Sequence, residues 1–302
     1  MLMKTPLTLL LLLLAVFKAQ AIDVTDSLGR HEFTSAPQRV VALNWAAAEH
    51  LLELGVTPLA VADVTGYREW VVQPALPAGV EDVGIRQEPN LERLAELKPD
   101  LIISGDQQGD LVPRLSQIAP VLHFESFSSE HNNAEAARRV FLSLARVLDR
   151  EERAEQRLAE LEQGFDQLKA RLHAHFGDTL PRVTVVRLMD SSHVRIYGDN
   201  GMPQYALERL GIAPALPQPV SQWGQVQKKL TDLGAIRDGV VLYIEPFPEA
   251  DKLFATPLWR AMPFVRAGRL AAVPSTWTYG GVMSLGYLAE NLTRALLSVP
   301  KE

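Results

Sequence analysis

Two α/β lobes joined by a single long helix is the fold class this sequence predicts, on three observations. Short strand-like runs alternate with helical signals in two separate regions, the signature of parallel or mixed sheets. A proline-free stretch rich in Ala, Leu, Arg and Glu lies between those regions. Beyond residue 21 no run is apolar enough to cross a membrane.

In chain order, residues 1–21 read as an export signal: Lys4 supplies a positive start, residues 7–17 are apolar apart from Thr8, and Ala19-Gln20-Ala21 is a small-x-small cleavage site. The apolar run is too short to span roughly 30 Å of hydrocarbon, so cleavage after Ala21 is expected. The N-terminal lobe is expected over 22–132, with strands over 39–43, 58–63, 101–104 and 121–124 and helices over 46–54 and 91–97. A helical segment over 133–180 follows. Asp149 and Glu152 suggest a capping box there, and Leu158, Leu161, Phe165, Leu168 and Leu172 form one apolar stripe that stops at Gly177. The stripe covers too few heptads for a coiled coil and reads as a helix lying on a globular surface. The C-terminal lobe is expected over 181–302, with strands over 183–188, 194–197, 239–244 and 270–273.

About 280 residues after cleavage are enough for two lobes of ordinary size. The net charge of −6 and the lack of a Lys/Arg-rich run speak against nucleic acid. The chain has no Cys, so it carries neither disulfides nor an N-terminal lipid-bearing cysteine; the expectation is free periplasmic solubility.

Chemistry concentrates in loops. Tyr67-Arg68-Glu69-Trp70 is followed by Asp82-Val83-Gly84-Ile85-Arg86-Gln87-Glu88-Pro89-Asn90 and the helix that starts with Leu91-Glu92-Arg93. An aromatic face beside one fixed guanidinium fork suits a rigid ligand rimmed with anionic oxygens. Trp223 sits in Ser221-Gln222-Trp223-Gly224, and Trp277 and Tyr279 precede Gly280-Gly281; loop aromatics beside glycines are less often core than aromatics in strands. Trp45, just past the first strand, is equally suited to packing or to a cleft, whereas Trp259 reads as core. Left to itself, Arg86 would be read as a surface partner of Glu88, and Trp70 as core.

The Tyr67–Asp100 region, together with Ala255-Thr256-Pro257-Leu258-Trp259-Arg260 and Trp277-Thr278-Tyr279-Gly280, resembles the periplasmic ferric-hydroxamate siderophore-binding proteins of Gram-negative bacteria, and the resemblance extends more thinly from about residue 39 to 297. It implies a class III periplasmic binding protein with the ligand between the lobes and only modest closure. The ligand is an iron(III)–siderophore complex; the protein supplies no intrinsic cofactor and no metal ligand, because the siderophore already surrounds the iron. Arg86 matches the family's ligand-binding arginine, and Trp70, Trp223, Trp277, Tyr279 and Trp45 are the implied aromatic walls. The family's Tyr falls on Gln108 here, and an aromatic after Trp277 is replaced by Thr278; together these suggest a more polar pocket. Docking onto an inner-membrane permease with its ATPase is implied for Glu92, in the first helical turn, and for a second-lobe acid, where Thr231 occupies the expected position and Asp232 adjoins it. Glu92 also suits a helix N-terminus on dipole grounds alone. A monomer is expected.

The chain has no Gly-x-Ser-x-Gly elbow, phosphate loop, His-Glu-x-x-His or Gly-x-Gly-x-x-Gly, so no enzyme is expected; a hydrolase built on Ser284 fails at Val282. A haem or cobalamin carrier of the same fold stays open. So does a free metal-ion carrier, although His173 and His175 fall on different helix faces.

Overall fold

The computed structural model describes residues 21–301, and the expected signal sequence up to Gln20 lies outside the described residues. The N-terminal sheet has five parallel strands in the order Glu81–Asp82, Ala60–Val61, Val40–Ala42, Leu101–Gly105 and Val121–Phe124. Its central strands are buried throughout, as a parallel sheet covered on both faces requires. Alternation sorts their side chains: Val40, Ala42, Leu101 and Ile103 join a core with helices Trp45–Glu53 and Asn133–Val147, while Val41 and Ile102 meet Leu94 and Leu115 on the other face.

The C-terminal sheet runs Gln225–Lys229, His193–Tyr197, Val183–Leu188, Val240–Ile244 and Leu270–Val273. Its first two pairings are antiparallel and its last two parallel. Trp259 is buried against Phe254 and Phe264 under this sheet, as the sequence suggests.

Between the sheets runs helix Glu151–Phe176, 26 residues and so about 39 Å long. Its buried stripe is Leu158, Leu161, Phe165, Leu168 and Leu172. Arg157 pairs with Glu53 of the N-terminal lobe at 2.8 Å, and one turn further on Glu162 pairs with Arg209 of the C-terminal lobe. The expected capping box does not form. Asp149 takes a left-handed φ of 56° in the break after Asn133–Val147, so the N-cap position passes to Arg150, which lacks a side-chain cap. The helix ends at Gly177, whose N–H returns to His173 O at a φ of 82°.

A single hydrophobic cluster joins Leu51 in the first lobe, Phe141 and the long-helix stripe in the helical segment, and Val183, Leu242 and Leu288 in the second lobe. The C-terminal helix Ser284–Leu297 lies along the long helix and donates from the Tyr287 hydroxyl to Glu53. At the start of that helix, Ser284 gives its N–H (2.8 Å) and hydroxyl (2.5 Å) to the fully buried Glu49. Gly280 and Gly281 make this approach possible: a Cβ on the first would stand 2.7 Å from Glu49 Oε2, and one on the second 2.6 Å from His50 Cε1.

Burial pushes the Glu49 carboxyl up to about 8, outweighing the opposing hydrogen bonds from Ser284. Between the ordinary value of 4.5 and about 8 the folded protein therefore holds a proton that the unfolded chain has released. Stability from this group is complete below that window and is lost as pH rises through it. Glu49→Gln should flatten this decline, read as urea midpoints across the window; an unchanged slope would assign the decline to other groups.

Candidate ligand-binding cleft

The carboxyl ends of the parallel strands in the N-terminal lobe point at a cavity of about 320 Å³ between the lobes, where open α/β sheets place their ligands. From this lobe come Trp45, Arg86, Gln107, Gln108 and Phe127; the facing wall holds Arg195, Trp223, Gln225, Trp277 and Tyr279.

Arg86 stands at the tip of a tight hairpin, Gly84–Ile85 with Glu88–Pro89, where Gly84 has a φ of 89°. Its guanidinium carbon lies 3.7 Å from the centroid of the Trp45 ring and 5.5 Å from that of Trp277. Cation–π contacts of this kind contribute about 0.5–2 kcal/mol, more as water is excluded. Read alone, Arg86 would pair with Glu88; its acidic neighbour is instead Asp63, whose Oδ2 is 3.8 Å from Nε, too far for a hydrogen bond. Nε is thus a buried donor with no acceptor among the described residues. Burial pulls the Arg86 pKa down and Asp63 pulls it back up.

Every neighbour of Arg86 is itself fixed. Trp45 begins helix Trp45–Glu53 behind the Asn44 cap, and its indole N–H donates to Ala62 O and Asp63 O, both at 3.1 Å. Gln108 is buried: its Oε1 accepts from Gly105 N–H at 2.9 Å and its Nε2 donates to Arg86 O at 2.9 Å. Asp106 accepts the N–H groups of Ser126 (3.1 Å) and Phe127 (3.0 Å), which seats Phe127 in the wall. Burial raises the Asp106 pKa against the pull of those two amides.

The aromatic side chains form a continuous chain. Trp45 meets Trp277 at 4.6 Å between centroids, Trp277 meets Tyr279 at 5.3 Å, and Phe127 closes on Trp223 (5.6 Å) and Tyr279 (5.8 Å), mostly edge-on. Asn200 ties the Trp223 loop to both lobes: its Nδ2 donates to Ser221 O (2.8 Å) and to Ser128 O across the cleft (2.6 Å). On the other flank the Ser275 hydroxyl reaches Glu69 O and Trp70 O.

The structure thus brings together Arg86, Trp45, Gln108, Trp223, Trp277 and Tyr279. Trp70, expected in the wall, does not line the cavity; its ring lies 5.2 Å from the Arg187 guanidinium and its carbonyl accepts the Ser275 clasp, so it acts between the lobes. The more polar pocket expected from Gln108 and Thr278 does not arise from those two residues. The Gln108 amide is taken up by backbone partners, and buried Thr278 bonds the Tyr197 hydroxyl at 2.9 Å. Polarity comes instead from Arg195, Gln107 and Gln225, which sequence reasoning missed along with Phe127. A signal existed for Arg195: Val194 and Ile196 are buried on one strand face, which turns the residue between them to the other.

Glu92, in the first turn of helix Leu91–Leu97, and Asp232, in the short helix Leu230–Ala235, are both exposed and outside the cavity lining. Ser284, the residue a hydrolase would use, is buried with its hydroxyl on Glu49. Among the described residues no group of three or more His, Asp or Glu is placed to hold a metal ion.

Residues 40–276 match the model of a family described as periplasmic binding protein. The chain is 37% identical over 268 residues to the iron(3+)-hydroxamate-binding protein FhuD of Escherichia coli, covering 88% of this chain and 89% of that one. The Fe(3+)-citrate-binding protein YfmC of Bacillus subtilis is 26% identical over 269 residues, covering 86% and 81%. Among solved structures, the siderophore-binding protein FhuD of Vibrio cholerae, determined with Fe3+–Desferal, superposes with a TM-score of 0.86 at 46% identity, over 87% of this chain and 99% of that one.

Gln108→Ala strips a buried partner from Gly105 N–H and from Arg86 O, and should cost about 1–3 kcal/mol in urea unfolding. A change below about 0.5 kcal/mol, the range of neutral surface substitutions, would show that the Arg86 loop stands without it.

Proposed function

The chain belongs to the periplasmic binding protein family, and on that premise we propose that it captures an iron(III)–hydroxamate siderophore in the cleft and hands it to an inner-membrane importer. One observation carries the reading: a half-buried guanidinium, lying over Trp45 and with no acceptor for Nε among the described residues, faces an aromatic-walled cavity. A ferric hydroxamate is compact, apolar along its arms and rimmed with oxygens that carry partial negative charge. Arg86 donates to those oxygens, and Trp223, Trp277, Tyr279 and Phe127 contact the arms. The iron keeps the coordination its siderophore provides, so the protein performs no chemistry and contributes only shape, charge and hydrogen bonds.

Tyr279 does not suit an axial role toward haem, because its ring is packed against Trp277 and Phe127 and burial raises its pKa, which disfavours a phenolate ligand. The rest of the reading follows the sequence: export directed by residues 1–21, lobes over 22–132 and 181–302 around the helical segment 133–180, and a free monomer in the periplasm. Docking falls to Glu92 on one lobe and Asp232 on the other, each presented to the permease from a helix outside the cleft.

Tryptophan fluorescence titrated with ferrichrome should show saturable quenching that the iron-free ligand does not give. Arg86→Ala should weaken binding at least about tenfold, the loss of one charge-assisted contact, with little change in thermal stability. An equal fall in stability would mark Arg86 as structural, and a response to haem or cobalamin alone would replace the ligand. In a transport assay Glu92→Ala and Asp232→Ala should slow uptake while leaving the titration unchanged. Normal uptake by both would remove them from the docking surface.

A further inference from the structure

Arg187 and Arg195 sit directly opposite each other on the antiparallel strands Val183–Leu188 and His193–Tyr197. Like charges in that register repel. Neither is in an ion pair with a carboxylate among the described residues. Arg187 is 8% exposed, reaches Thr276 O at a long 3.5 Å and packs on Trp70. Arg195 lines the cavity together with Tyr279.

Acids near the cleft do not balance them. Asp63 lies beside Arg86, the Asp106 oxygens are occupied by backbone N–H groups, and Glu49 beneath the floor is bonded to Ser284. Guanidinium groups therefore gather around the cavity from both lobes in a chain whose net charge is −6. Such a pair persists at a cost in stability unless the missing negative charge arrives with the ligand.

We propose that Arg195, backed by Arg187, forms an anion subsite on the C-terminal wall, and that the preferred cargo is a ferric hydroxamate bearing carboxylates at its periphery. The proposal rests on the reading that this cleft binds ferric hydroxamates, and it names which of them fit best. Arg86 and Arg195 come from different lobes, so the iron-bound oxygens and the peripheral carboxylate are gripped from opposite sides.

The test is a fluorescence titration of the purified protein with three ferric complexes of different charge. Ferrichrome is a neutral trihydroxamate, ferrioxamine B adds an ammonium group, and ferric aerobactin is a citrate dihydroxamate with free carboxylates. Aerobactin should bind about tenfold or more tighter than ferrioxamine B at low salt, with the margin narrowing as salt rises. Arg195→Gln should abolish that order by weakening aerobactin binding about tenfold or more beyond any change in ferrichrome binding, and Arg195→Lys, which keeps the charge, should retain it. The subsite is overturned if ferrichrome binds and the native protein shows no preference for the carboxylate complex, or if Arg195→Gln weakens all three alike. Should none of the three bind, the ferric-hydroxamate reading falls as well.

Discussion

Everything in the cleft is arranged around one guanidinium lying on one indole. A charged group 3.7 Å above a buried ring has lost much of its water, and it gains only the ring's quadrupole and a distant carboxylate in exchange. That arrangement is tolerable only if the ring, the loop and the floor cannot move. The Trp45 indole is fixed by two carbonyls, the Arg86 carbonyl by Gln108, and the Asp63 turn by its own cap on Gly66. The result is a donor held ready and under-satisfied, which is how a protein binds oxygens it must later release.

The same rigidity extends to the whole molecule. The long helix carries ion pairs to both lobes, and one hydrophobic cluster runs through all three parts. Asn200 on one flank of the cleft and Ser275 on the other add short polar clasps between the lobes. A hinge motion large enough to shut the cleft would have to open that core, and small sliding adjustments are all that such packing allows.

Much of this was legible in the chain. Strands 121–124, 183–188 and 270–273 and the helix at 91–97 fall where apolar runs and Gly or Pro punctuation put them. Local patterns were less reliable where two satisfied the same rule. Asp149 and Glu152 have capping-box spacing, but the preceding helix ends in a left-handed residue at Asp149, which cannot also serve as an extended N-cap. Trp70 carries the right chemistry for a wall, but the turn that holds it presents the ring to Arg187. Phe127 was invisible for a different reason, since it depends on an aspartate twenty-one residues earlier; for Arg195 the alternation was legible, but which sheet face meets the cleft is a tertiary fact.

The continuous core has a consequence for signalling. A carrier whose outline scarcely alters on loading cannot announce its cargo by changing shape. Occupancy would then have to be read from the cargo itself. On the proposed docking, empty copies would present nearly the same outline as full ones and would compete for the same receptor. Discrimination has to come from how long each stays bound, so the abundance of the empty form becomes a control on the rate of delivery.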